Sequence, residues 1–183
     1  MKTKIMIPFV AMLLVGCGSS SYYVLSDIHP QHSQITSHIS IGVEEVEVPK
    51  YLFKRELAIA TTNNRVKFDS NIQWAEDMDE AITRRVIGTL QQKFRNSNID
   101  KYPWGLDSIP KFILHINITR FITKGNEVYL NATYRITDTK INKTKSYLYN
   151  KSIHLQNTDT DNIVSAMDRL IEYMIGDIAR KLF

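Results

Sequence analysis

Cys17 is the only cysteine in the 183-residue chain, and it follows Leu14-Val15-Gly16 at the end of an apolar run. One thiol makes neither an internal disulfide nor a cysteine metal cluster, so its chemistry is that of a single nucleophilic sulfur. The other groups with chemical reach are scattered. His29, His32 and His38 fall within ten residues, but only Asp27 joins them at ligand spacing, so Asp27 to His38 reads as a solvated loop. Glu76, Asp77, Asp79 and Glu80 crowd a short span; at the start of a helix such acids match the positive end of its dipole, which accounts for them without catalysis. His115 and His154 stand on segments of period two, with no serine or cysteine partner identifiable. The chain holds no Gly-x-Ser-x-Gly, Walker loop, Gly-x-Gly-x-x-Gly or His-Glu-x-x-His, and its seven glycines leave few candidates for a phosphate loop. The expectation is a protein that is not an enzyme and holds no metal.

The surroundings of Cys17 decide its role. Lys2 and Lys4 precede an apolar run from Ile5 to Val15 broken only by Pro8, and the small residues Gly16, Gly18 and Ser19 follow. About 11 apolar residues are too few to cross a hydrocarbon layer roughly 30 Å thick as a helix, so the run reads as the core of an export signal. Leu14-Val15-Gly16-Cys17 resembles the lipobox of bacterial lipoproteins, in which the chain is cut before the cysteine. There the sulfur carries a diacylglycerol and the freed amine a further acyl chain such as palmitate. The resemblance implies a signal peptide over 1–16, a lipidated tether over 17–21 and a single domain over 22–183. It also implies no cofactor beyond the N-acyl diacylglyceryl group on Cys17. Gly18 is not the aspartate that retains such lipoproteins at the inner membrane of enteric bacteria, so the expected location is the outer membrane, with the domain facing the periplasm. Gly18 to Ser21, at ~3.5 Å per residue, reach only about 14 Å. The domain is expected to sit close to the membrane face.

Charge sharpens the exclusion. The formal net charge is +4, but removal of Lys2 and Lys4 leaves 21 basic against 19 acidic side chains, so nucleic-acid binding loses its compositional support. Asn-x-Thr sequons at Asn117, Asn131 and Asn142 and an Asn-x-Ser at Asn150 matter only in a glycosylating compartment.

The elements that must carry any surface are legible from periodicity. Ile, Leu, Val and Phe together number 53, enough to bury a core, and the length suits one domain. Ile39, Ile41 and Val43 alternate as a half-buried strand should. The apolar phase then shifts to Val46 and Val48, which predicts a bulge at Glu44-Glu45, and Pro49 ends the ladder. Glu56 to Thr62 reads as a strand, Asn63-Asn64 as a turn and Arg65 to Asp69 as a short return strand. Trp74, Met78, Ile82, Val86, Leu90 and Phe94 recur every four residues, with Ala81 and Ile87 widening the stripe, so a helix is predicted from a cap at Asp69 or Ser70. From Phe112 to Ile122 the period becomes two, Lys124-Gly125-Asn126 supplies a turn, and Val128 to Ile136 forms the next strand. A strand from Lys145 to Leu155 follows, whose Lys145 and Lys151 suit a guarded edge as well as a binding patch. The chain closes with a helix capped in Thr158 to Asn162, carrying Ile163, Met167, Leu170, Ile171, Met174, Ile175, Ile178 and Leu182. The expected fold is α/β of the α+β type: a two-layer sandwich of a mixed, mostly antiparallel sheet of about five to six strands with two helices on one face.

Several short segments carry a resemblance beyond the anchor. Ser21-Tyr22-Tyr23-Val24-Leu25, Val46-Glu47-Val48-Pro49-Lys50-Tyr51-Leu52 and Asn64-Arg65-Val66 followed by Trp74-Ala75-Glu76, together with Cys17, resemble the ABC-type transport auxiliary lipoproteins, the PqiC-like outer-membrane lipoproteins among them. Where that family commonly has Asp-Arg-Pro after Tyr-Leu, this chain has Phe53-Lys54-Arg55. The resemblance implies an envelope lipoprotein working beside an MCE-domain protein and its inner-membrane transporter in lipid transport, with self-association into a ring. Docking of the conduit protein is the expected role, through Val48, Pro49, Tyr51 and Leu52, with Trp104 in the Tyr102-Pro103-Trp104-Gly105 turn as a further contact for partner or membrane. Two other roles share the anchor and a small α/β domain: an outer-membrane assembly or secretion-pilot lipoprotein, and a periplasmic lipid carrier, which needs an apolar cavity.

Overall fold

The structure is a computed structural model that describes residues 20–25, 35–36, 38–105 and 108–182. Cys17 with its lipobox, Gly18, Asp27, His29 and His32 lie outside the described residues. In chain order the elements are β1 (Ser21–Tyr23), β2 (Ile35–Thr36), β3 (Ser40–Val43), a 3-10 turn (Lys50–Phe53), β4 (Glu56–Ala60) and β5 (Val66–Trp74). They continue with α1 (Met78–Lys93), β6 (Phe94–Arg95), β7 (Asn98–Lys101), β8 (Phe112–Lys124), β9 (Glu127–Asp138), β10 (Lys143–His154) and α2 (Thr160–Lys181).

The two-layer α+β architecture is as expected, but the main sheet has eight strands instead of five to six, and β2 and β6 form a separate parallel pair. The additional strands were hidden by length or polarity. β1 has three residues, and β7 buries only Ile99. The antiparallel meander β8–β9–β10 is the backbone of the sheet, turning through Gly125, whose φ of 56° suits a residue without a Cβ.

The other edge of β8 is shared by one continuous stretch of chain. β3 pairs in parallel with Phe112–Leu114, Glu47 bridges Asn117, and β4 pairs in parallel with Thr123 and Lys124. Between Val43↔Leu114 and Glu47↔Asn117 the register slips by one residue, which is the extra residue of the predicted bulge. Between Glu47 and Ile59 the chain leaves the ladder, and the 3-10 turn fills the gap. Outward from β4 lie β5, antiparallel to it, and then β1, parallel to β5.

Both helices cover one face. On α2, Leu170, Ile171, Met174, Ile175 and Ile178 are fully buried, in one core with Leu114, Ile116, Leu130, Ala132 and Tyr134 of the meander. Burial at ~25 cal/mol per Å² of apolar surface drives this packing. Tyr134 keeps its hydroxyl satisfied inside the core by donating to Asp177 Oδ2 at 2.7 Å. Between the helices, Arg85 and Asp168 form a buried ion pair at 3.6 Å.

The first helix starts later than its periodicity predicts. Trp74 ends β5, where its N–H donates to Arg55 O at 2.7 Å and it pairs with Tyr23, so the return strand runs to Trp74 and not to Asp69. The helix cap is Asp77, whose side chain makes no capping hydrogen bond, rather than Asp69 or Ser70. Phe94 at the other end of the stripe is buried but belongs to β6. The α2 cap is as expected: Asp159 Oδ1 accepts the Asn162 N–H at 2.8 Å.

Candidate functional site

The segment expected to meet a partner is built into the gap beside β8. Val46 is buried and donates its N–H to Thr83 Oγ1 of α1 at 2.9 Å, while Thr83 donates to Asp79 O at 2.7 Å. Val48, Pro49 and Tyr51 are half-buried. Tyr51 Oη accepts the Phe121 N–H at 2.8 Å and reaches Phe121 O at 3.4 Å. Those two backbone groups lie in the stretch of β8 that has lost its neighbouring strand, and the phenol stands in for the missing ladder partner. Burial pushes the Tyr51 hydroxyl pKa above its ordinary value.

Leu52 is a correction to the expectation. It is 4% exposed and packs in the core, with its N–H donated to Pro49 O at 2.9 Å, so it cannot project towards another molecule. The three-residue period of the 3-10 turn turns Leu52 inward and leaves the next residue, Phe53, 58% exposed. Sequence reasoning missed Phe53; a proline followed by Lys-Tyr-Leu-Phe was the available signal for a tight turn. Beside it, Lys54 Nζ stands 4.5 Å from the centroid of the Phe68 ring. Trp104 is not brought to this segment: it follows β7, half-buried, with Nε1 donating to Asp100 O at 3.4 Å.

The residues that follow the expected tether are stitched into the domain. In β1 and just after it the side chains alternate, with Tyr22 (65%) and Val24 (55%) exposed, Tyr23 half-buried and Leu25 buried. Tyr23 O accepts the Ala75 N–H at 2.8 Å, and Tyr23 Oη donates to Asp161 Oδ1 at the start of α2 at 2.9 Å. That hydrogen bond raises the Tyr23 pKa. The start of the domain is therefore held to both layers.

On the sheet face away from the helices, a groove of about 560 Å³ is lined by Glu47, His115, Asn117, Thr133, Arg135 and Leu148 among others. His115 Nδ1 lies 2.7 Å from Glu44 Oε2, and its Nε2 lies 4.0 Å from Glu47 Oε2. The ring is held between two carboxylates. Among the described residues, no group of three or more His, Cys, Asp or Glu is placed to hold a metal ion. No described helix is long and apolar enough to cross a membrane.

The chain belongs to the family of ABC-type transport auxiliary lipoprotein components, whose model matches residues 23–179. Solved structures share the fold. An uncharacterised protein superposes with a TM-score of 0.76 at 18% identity, covering 90% of this chain and 99% of its own. A protein from Xanthomonas campestris of the family DUF330 superposes with a TM-score of 0.73 at 11% identity, covering 87% and 93%. Comparison with curated proteins returns no match.

Proposed function

We propose that the protein is a non-catalytic envelope lipoprotein, anchored to the outer membrane through acylated Cys17, that docks the MCE-domain conduit of an intermembrane lipid transport system. The observation that carries this reading is the family match over residues 23–179, starting six residues after the lone cysteine. The edge strand β1 supports it, because its pairing with β5 begins at Ser21, only four residues after Cys17, which keeps the domain within about 14 Å of the proposed anchor. Two or three acyl chains at ~0.8 kcal/mol per buried methylene make such an anchor durable.

The packing speaks against the lipid-carrier alternative. Side chains such as Ile41, Ile82, Leu114, Leu130 and Ile171 are fully buried in one core, and the groove on the sheet face sets the charged and polar Glu47, His115, Asn117 and Arg135 beside Tyr147 and Leu148. A carrier needs an apolar cavity there instead.

Native mass spectrometry of the delipidated domain, together with affinity purification of the full-length protein from detergent-solubilised envelopes, tests the reading. Expected are a domain free of phospholipid and co-purification of an MCE-domain protein. Stoichiometric phospholipid in the domain, or a secretin or β-barrel in place of the MCE-domain protein, would overturn it.

A further inference from the structure

The two ends of the sheet differ. β1 runs parallel to β5 and antiparallel to β4 and β8, so its N-terminus points towards the end that carries the β8–β9 turn at Gly125-Asn126 and the start of α2. The opposite end carries the start of β8, the β9–β10 turn and the end of α2, about 40 Å further along the strands at ~3.3 Å per residue. An anchor on the β1 side leaves this second end facing away from the bilayer.

At that distal end the last residues of α2 and the sheet border a cavity of about 290 Å³ lined by Phe112, Ile136, Ile141, Tyr147 and Leu182. Lys143, Lys145 and Lys181 stand around it with the carboxylate of Asp138, which already accepts the Lys140 N–H at 3.0 Å, while the Lys181 charge also acts on Asp177 four residues before it on α2. None of these three lysines makes a salt bridge among the described residues; Lys181 Nζ instead lies 5.4 Å from the centroid of the Tyr147 ring. Ile141 is 67% exposed and, nearby in the loop before β8, Ile109 is 79% exposed. Two exposed isoleucines beside lysines that make no salt bridge give this end a surface both apolar and basic.

We propose that this membrane-distal end is where the MCE-domain partner docks, placing an apolar side chain of an acidic segment in the cavity with its carboxylates against Lys143, Lys145 and Lys181. The inference rests on the function proposed above and assigns it a surface other than the Val48–Leu52 segment. Charge complementarity selects an acidic occupant, and the volume, at the floor of the roughly 300–1,000 Å³ of small-molecule sites, suits a side chain better than a two-chain phospholipid.

The test uses the full-length lipidated protein in its own cells, with a photo-cross-linking amino acid at position 141 or, on the opposite end, at position 64. The expected result is a cross-link from position 141, and none from position 64, to the MCE-domain protein, cut at least tenfold by K143E/K145E/K181E. Charge reversal is the informative change because an edge strand guarded by Glu is guarded as well as by Lys. A structural role therefore leaves the cross-link intact, while an acidic partner is repelled. Size exclusion and thermal melting of the triple variant show that it stays monodisperse and folded. Cross-linking from position 64 instead of 141, a phospholipid adduct alone at 141, or full capture by the triple variant would overturn the inference while leaving the proposed function standing. Absence of any MCE-domain protein from both cross-linking and co-purification would overturn both.

Discussion

Tyr51 was expected to face a partner, and its hydroxyl instead serves two backbone groups of Phe121 where β8 lacks a neighbour. Removing that oxygen leaves a buried N–H without its acceptor, so Tyr51→Phe is expected to cost about 1–3 kcal/mol of stability in denaturant unfolding, whereas Phe53→Ser, at an exposed position, is expected to change it by under about 0.5 kcal/mol. Equal effects from the two would contradict this division. The core tyrosines set a pH limit. Burial pushes Tyr149 up to about 12, and burial with the hydrogen bond to Asp177 holds Tyr134 well above its ordinary value of 10.0. Because the folded values are raised, their stabilising contribution is complete below the unfolded value of about 10 and is lost as pH climbs towards 12. Circular dichroism is expected to show the fold weakening between pH 10 and 12, with these two phenols ionising only as it unfolds. Their titration near pH 10 in the folded protein would contradict the buried placement.

Capping separates the two helices at the element scale. Asp159 binds the Asn162 N–H, while Asp77 makes no capping bond and instead meets exposed Arg55 at 3.3 Å. Asp159→Ala is therefore expected to cost ~0.5–2 kcal/mol and Asp77→Ala clearly less, read from melting of the two variants. Legibility follows the same divide. α2 could be read because a wide stripe of isoleucine, leucine and methionine meets one large sheet face, and the meander because its strands are long and alternate. The start of α1 could not: Trp74 lies four residues before Met78 by coincidence, and only its pairing with Tyr23 shows that it belongs to a strand. β7 was invisible because one buried isoleucine carries no period. Around Val43 to Phe53 the bulge was legible from the phase shift between Val43 and Val46, but the inward turn of Leu52 depends on a gap beside β8 that no local pattern announces. Lys145 and Lys151, alike in sequence, separate in space: Lys151 lies 3.6 Å from the Tyr173 ring centroid, while Lys145 borders the distal cavity.

For the whole molecule, the proposed role makes the fold a spacer between an anchored end and a docking end. β1 ties the entry side to α2 through Tyr23 and Asp161, and the basic, apolar end lies beyond the far ends of β8 to β10. In the proposed role such a body works by position, so loss of the proposed anchor is expected to displace the partner as well as the protein. The most direct test is the distribution of the MCE-domain protein between membrane fractions in cells carrying wild-type or Cys17→Ala protein. The account predicts that the variant leaves the outer-membrane fraction and that the MCE-domain protein recovered there falls with it. An unchanged distribution of the MCE-domain protein, with the variant released, would contradict the docking role.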